Sequence, residues 1–134
     1  MHVLLINGSP HEKGCTYTAL SLVAGELNAA GITTEILNVG TKPVGGCIGC
    51  GGCAKGNGCV FGGVVNEAIE KARTADAFVF GTPVHYASAS GNMTSFLDRL
   101  AYAGGKYLAY KPAAICASAR RAGTTSTLDQ LVKY

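Results

Sequence analysis

ADAFVFGTPVHYASASGNMTSFLDRL, residues 75–100, is the stretch whose reading decides the fold. Ala77-Phe78-Val79-Phe80 is a short continuous apolar run, the pattern of a strand covered on both faces. Gly81-Thr82-Pro83 ends it. A long loop continues to Asn92, and then Met93, Phe96, Leu97 and Leu100 recur at the spacing of one helical face. Strand, loop and helix in that order are most of a parallel crossover unit.

The same unit recurs in both directions along the chain. Val3-Leu4-Leu5-Ile6 is a buried strand closed by Asn7-Gly8, and Leu20, Val23, Ala24 and Leu27 follow at helical spacing, with Gly31 as the stop. Thr33–Val39 reads as a second, less apolar strand. Val65, Ala68, Ile69 and Ala72 mark a helix ahead of the quoted strand. Beyond it, Ala113-Ala114-Ile115-Cys116-Ala117 is a fourth strand, and Leu128, Leu131 and Val132 begin a fourth helix. This βαβαβαβα alternation predicts one α/β domain over 1–134, a parallel sheet between two layers of helices. A fifth strand is expected after the last helix and none is read. That points to a chain truncated at its C-terminus, or to a sheet edge covered by a partner subunit.

Composition narrows the function classes. Hydrophobic residues make up 48% of the 134, enough for a core. Lys+Arg 11 against Asp+Glu 8 leaves +3, too mild a balance for a nucleic-acid binder. No secretory leader and no membrane-length apolar run is read. Six cysteines in a chain whose periodicity already supplies a core read as metal ligands or free thiols. The expected location is therefore the reducing cytoplasm.

Ligands of such sheets bind outside the carboxyl ends of the strands. Three loops fall there. Asn7–Thr16 runs from a buried strand into a helix N-terminus, whose free N–H groups favour an anion, with Ser9 and Thr16 as hydroxyl donors. It matches neither the Walker pattern nor GxGxxG. The 81–92 loop offers Pro83, Val84 and Tyr86 to a planar ring, with His85 beside them. Ser118–Thr124 brings Arg120 and Arg121, either solvated surface or binders of an anion.

The fourth feature is C-x2-C-x2-C-x5-C: Cys47, Cys50, Cys53 and Cys59, set among glycines. Four thiolates this close can hold an iron–sulfur cluster or zinc, and the run also reads as a metal-free reduced loop. Cys116, mid-strand, reads as packing, Cys15 as a residue at a helix N-terminus, and Asp98-Arg99 as a structural ion pair.

NGSPHEKGCT (7–16), GCIGCGGCAKGNGC (46–59), residues 75–100 and ASARRAG (117–123) together resemble the flavodoxin-like NAD(P)H-dependent FMN reductase family, near its iron–sulfur flavoprotein branch. The resemblance implies a three-layer sandwich with strand order 2-1-3-4-5, the fifth strand missing from this chain, and FMN at the carboxyl edge of the sheet. It implies that Ser9, His11, Cys15 and Thr16 take phosphate-loop positions. It puts Pro83, Val84, His85 and Tyr86 along the flavin ring, and Ser118 and Arg120 in the third loop. His85 is the one candidate proton donor. For Cys47, Cys50, Cys53 and Cys59 it implies a [4Fe-4S] cluster. The activity implied is electron transfer from NAD(P)H through FMN to a small acceptor such as a quinone, an azo or nitro compound, or free flavin. The alternative is an electron carrier joining FMN, the cluster and a protein donor such as ferredoxin. Family members usually form homodimers or homotetramers. This chain differs in having Cys15 where Asn is frequent, His11 where Arg is frequent, and Gly62-Gly63 where acidic residues are common.

Overall fold

The computed structural model describes residues 1–134. Its strands are β1 (His2–Asn7), β2 (Thr33–Asn38), β3 (Ala77–His85), β4 (Ser88–Ala89) and β5 (Ala113–Ser118). The helices are α1 (Cys15–Ala29), α2 (Val64–Thr74), α3 (Gly91–Leu108) and α4 (Thr124–Leu131), with a short 3₁₀ turn over Gly52–Lys55. Four strands pair in parallel in the order β2-β1-β3-β5. This is the expected order, because the four strands read from the sequence are β1, β2, β3 and β5.

Position in the sheet explains composition. β1 and β3 are interior, and Val3 to Asn7 are all buried. β2 and β5 are flanked on one side only and are partly exposed. Side chains alternate between faces along each strand. Val3, Leu5 and Val79 pack with Leu20 and Ala24 of α1. Leu4, Ile6 and Phe78 pack on the other face with Ile69 of α2 and with Phe96, Leu97 and Leu100 of α3. Each such side chain fully buried contributes about 1.5–3 kcal/mol relative to leaving it exposed. Ser90 caps α3, its Oγ accepting from the Met93 N–H at 3.3 Å.

One local expectation is corrected. The strand read as ending at Gly81-Thr82-Pro83 continues to His85, then turns back as β4 in an antiparallel hairpin. Pairing with β5, Thr82 opposite Ala117 and Pro83 opposite Ser118, holds the chain extended past its turn-like residues. The hairpin turns on Tyr86 and Ala87, at φ +50° and +62°. Two consecutive positive φ values are what a two-residue hairpin loop requires, and neither residue is a glycine. The turn is held from outside. Ser126 Oγ donates to Ala87 O at 2.7 Å, and Gln130 Oε1 accepts from Ser88 Oγ at 2.9 Å and from Ala89 N at 3.0 Å.

Candidate functional site

The first loop is built around Asn7, a polar residue at the end of an apolar strand and fully buried. Its Oδ1 accepts from Ser9 N at 3.1 Å, and its Nδ2 donates to Asn38 Oδ1 at 2.8 Å. Ser9, also buried, accepts from His11 N through its Oγ at 3.1 Å. Gly8 is fastened on both sides, its N–H donating to Gly81 O at 2.8 Å and its carbonyl accepting from Ser90 Oγ at 2.7 Å. Just past β2, the chain meets this loop at Gly40, where any side chain would collide with the Gly8 and Ser9 carbonyls.

α1 then starts without a cap. Gly14 provides no side-chain acceptor, and the first turn has no acidic residue. The first N–H groups of a helix have no partner within it, and the helix dipole favours negative charge there. Thr16 Oγ1 and Ser118 Oγ share a hydrogen bond of 2.7 Å, tying this turn to the end of β5. Uncapped N–H groups, two hydroxyls and no first-turn carboxylate form a donor set that fits the phosphate of FMN. His11 on the loop and Cys15 at the start of α1 are exposed.

The residues expected along a ring fall in different cavities. Val84 and Tyr86 line a cavity of about 530 Å³ with Arg120 and Arg121. His85 lines another of about 370 Å³ with Pro10, Ser90, Asn92 and Ser95. Pro83 and Val84 are half-buried, His85 is exposed, and Tyr86 stands fully in solvent. Ser9, His11, Thr16, Ser118 and the hairpin thus share one sheet edge, but His85 and Tyr86 do not share a cavity.

The four cysteines do share one. Cys47, Cys50, Cys53 and Cys59 line a cavity of about 570 Å³ together with Phe61, Asp98, Arg99 and Tyr102. All four thiols are free, and as the loop stands no three of them converge on a metal position. Four thiols on one cavity fit, as a donor set, a [4Fe-4S] cluster or zinc. The glycines between them carry the turns, with Gly51 at φ +68° and Gly56 at +81° on either side of the 3₁₀ turn.

Three residues whose roles the sequence did not reveal organise this loop. Asn92 Nδ2 donates to Gly40 O at 2.9 Å and Lys42 O at 3.1 Å, and its Oδ1 accepts from Val44 N at 3.1 Å. Asn66 clasps the Cys59 backbone, accepting from its N–H at 2.8 Å and donating to its carbonyl at 3.0 Å. Arg99 is the third, and the expected Asp98–Arg99 ion pair is absent. Asp98 Oδ1 instead accepts from the Tyr134 hydroxyl at 2.6 Å. Desolvation, aided by that carboxylate, pushes the Tyr134 phenol up to about 12. Arg99 donates through Nε to Cys59 Sγ at 3.2 Å, through Nη1 to Gly45 O at 3.3 Å and through Nη2 to Gly62 O at 3.0 Å. Adjacent positions on a helix point about 100° apart, so an Asp-Arg pair in sequence was a poor signal for contact. Asn92 and Arg99, seven apart on one helical face, were the better signal.

Residues 1–134 match the NADPH-dependent FMN reductase family. An iron–sulfur flavoprotein of Archaeoglobus fulgidus is 33% identical over 99 residues, which are 74% of this chain and 48% of that protein. One from Methanocaldococcus jannaschii is 30% identical over 99 residues, 74% of this chain and 51% of that protein. The chain thus spans about half the length of the curated relatives it matches. Among solved structures, an apo NADH:FMN oxidoreductase superposes with a TM-score of 0.72 at 20% identity, covering 98% of this chain and 65% of that one. An NAD(P)H:quinone oxidoreductase from Methanothermobacter marburgensis gives 0.70 at 20%, covering 99% and 68%. At these identities the structural likeness speaks to the fold. No helix here is long and apolar enough to cross a membrane.

Proposed function

This chain belongs to the NADPH-dependent FMN reductase family, and we propose that it is an FMN-dependent oxidoreductase that takes electrons from NAD(P)H and passes them to a small acceptor such as a quinone, an azo or nitro compound, or free flavin. One observation carries the reading. The α1 N-terminus is uncapped and free of carboxylates, with Ser9 beside it and Thr16 bonded to Ser118, at the carboxyl edge of the sheet next to the β3–β4 hairpin, which supports an anion there.

When bound, FMN supplies the redox chemistry. The protein's own work is to hold it. In this reading Ser9, His11, Cys15 and Thr16 bind the phosphate, Ser118 braces Thr16, and Pro83, Val84, His85, Tyr86 and Arg120 border the ring. Tyr86 sits on a backbone turn costing of order 1 kcal/mol or more per strained residue, the kind of strain found at ligand sites. The test is reconstitution with FMN, followed by flavin-fluorescence quenching and by NADH and NADPH oxidation with each acceptor class. Micromolar or tighter FMN binding with turnover supports the reading. FMN that does not bind sinks it.

A second reading has its own observation: four free thiols around a single cavity. In it, Cys47, Cys50, Cys53 and Cys59 hold a [4Fe-4S] cluster, and the protein relays electrons between FMN, the cluster and a protein donor such as ferredoxin. The names of the two curated relatives agree with it. Anaerobic reconstitution followed by metal analysis decides, with about four irons per chain supporting the cluster and zinc or no metal rejecting it. A homodimer or homotetramer in the reducing cytoplasm completes the proposal, to be checked by light scattering. Exposed free thiols suit that compartment.

A further inference from the structure

Arg99 is 7% exposed and lines the cavity of the four cysteines. No carboxylate lies within ion-pair distance of it, since every ion pair of the chain involves other residues. The other charged residue on the cavity, Asp98, bonds the Tyr134 hydroxyl. A guanidinium does not lose its proton in a protein, so this is a permanent buried cation with no carboxylate bonded to it. Taking such a charge out of water is unfavourable unless an opposite charge is supplied. Its three hydrogen-bond partners are two backbone carbonyls and one sulfur. The sulfur is Cys59.

The two carbonyls have a meaning of their own. Gly45 comes just before Cys47 and Gly62 just after Cys59, so one planar fork spans the entrance and exit of the cysteine segment. The Phe61 ring, 5.7 Å from the guanidinium carbon, covers it. Asn66 meanwhile fixes the Cys59 backbone. Cys59 is therefore held at both its backbone and its sulfur, while Cys47 and Cys50 are exposed on the glycine loop.

We propose that Arg99 is the positioning residue of the four-cysteine site: it anchors Cys59 as the fixed sulfur and sets a permanent positive charge beside an anionic metal–thiolate group. The inference rests on the second reading above, in which the four thiols hold an iron–sulfur cluster. Four thiolates make such a group net negative, and adding an electron makes it more so. A fixed cation and an N–H···S bond both favour the reduced form, and hydrogen bonds to sulfur are one of the levers that set cluster potentials.

The test uses the FMN-loaded chain, wild type, Arg99→Gln and Arg99→Lys, in two measurements. The first is hydrogen exchange over residues 45–62 before metal is added. Glutamine is expected to raise exchange there at least tenfold with the sheet unchanged. Lysine should resemble glutamine, because one ammonium cannot bridge three separated acceptors. The second is a redox titration after anaerobic loading with iron and sulfide. At a fixed ambient potential the reduced-to-oxidised ratio of the Arg99→Gln cluster should fall about tenfold, a 59 mV negative shift for a one-electron couple. Lysine restoring wild-type exchange overturns the positioning role, and so does a glutamine variant with wild-type exchange over residues 45–62. A wild-type chain that takes up no iron overturns the cluster reading and this inference together. A loaded wild type with a variant of equal potential overturns the inference alone. If Arg99→Gln loses its circular dichroism and FMN binding, the Lys variant carries the exchange test.

Discussion

The hydroxyls of Thr16 and Ser118, 102 positions apart in the chain, share a hydrogen bond of 2.7 Å. It joins the first turn of the first helix to the last residue of the last strand, at the floor of the proposed phosphate site. Thr16 is buried and Ser118 half-buried, so removing one partner leaves the other poorly hydrated. Ser118→Ala and Thr16→Val are each expected to cost about 1–2 kcal/mol of stability, the price of an unmade buried hydrogen bond. FMN affinity should weaken about tenfold, equivalent to about 1.4 kcal/mol. Urea unfolding and fluorescence quenching read the two effects. Unchanged FMN affinity in both variants would remove these hydroxyls from the phosphate site.

Asn92 holds the start of the cysteine segment to α3 with three hydrogen bonds, to Gly40, Lys42 and Val44. Asn92→Ala should destabilise the chain by about 1–3 kcal/mol and speed tryptic cleavage at Lys55. Asn92→Asp keeps the acceptor for Val44 N and loses both donors, so it should fall between wild type and alanine. An aspartate variant cleaved as slowly as wild type would show that the donors do not restrain the loop.

Ala87 pays for a left-handed backbone at φ +62°. Such a conformation costs an L-residue about 1–2 kcal/mol, against about 0.5–1 kcal/mol of extra chain entropy lost by glycine. Ala87→Gly should therefore stabilise by about 0.5 kcal/mol, a rise of about 2 °C in Tm. A lower Tm, seen by calorimetry, would mean that the methyl group packs more than its backbone strains.

Burial pushes the Cys116 thiol up from its ordinary 9.0. The folded chain favours the protonated thiol, so the associated stability is fully present below the ordinary thiol range and is lost as pH rises through the higher folded value. Thiolate is the reactive form. With metal-free protein at pH 8, Cys116 should be the slowest of the six cysteines to react with a disulfide reagent, behind exposed Cys15, Cys47 and Cys50. Mass spectrometry of partly labelled protein gives the order, and Cys116→Val should flatten the alkaline loss of stability.

Much of the fold was legible because its signals are local. The β1 run Val3–Ile6 is apolar at every position, and only a strand between two layers of helices needs that. The face of α3 recurs at Met93, Phe96, Leu97 and Leu100, all buried as the spacing required. The extension of β3 through Thr82 and Pro83 was hidden, because its cause is pairing with β5 some 35 positions away in the register Thr82–Ala117. The site divides the same way. Ser9 and Thr16 were readable as a strand-to-helix loop and Ser118 as the start of another, whereas the bond between Thr16 and Ser118 was not, because it joins positions far apart in the chain.

By itself, the sequence determined the order of the elements, the parallel sheet and the spacing of four thiols, since period and spacing are properties of neighbouring residues. Tertiary structure alone decided what those thiols face. It turned Arg99 away from the adjacent Asp98 and onto Cys59 Sγ, and it placed His85 and Tyr86 in different cavities. The physical reason is that a side chain's partner is set by the direction its backbone gives it and by which distant elements pack there. A buried charge or donor takes the partner that packing brings within reach, whatever stands next to it in the chain.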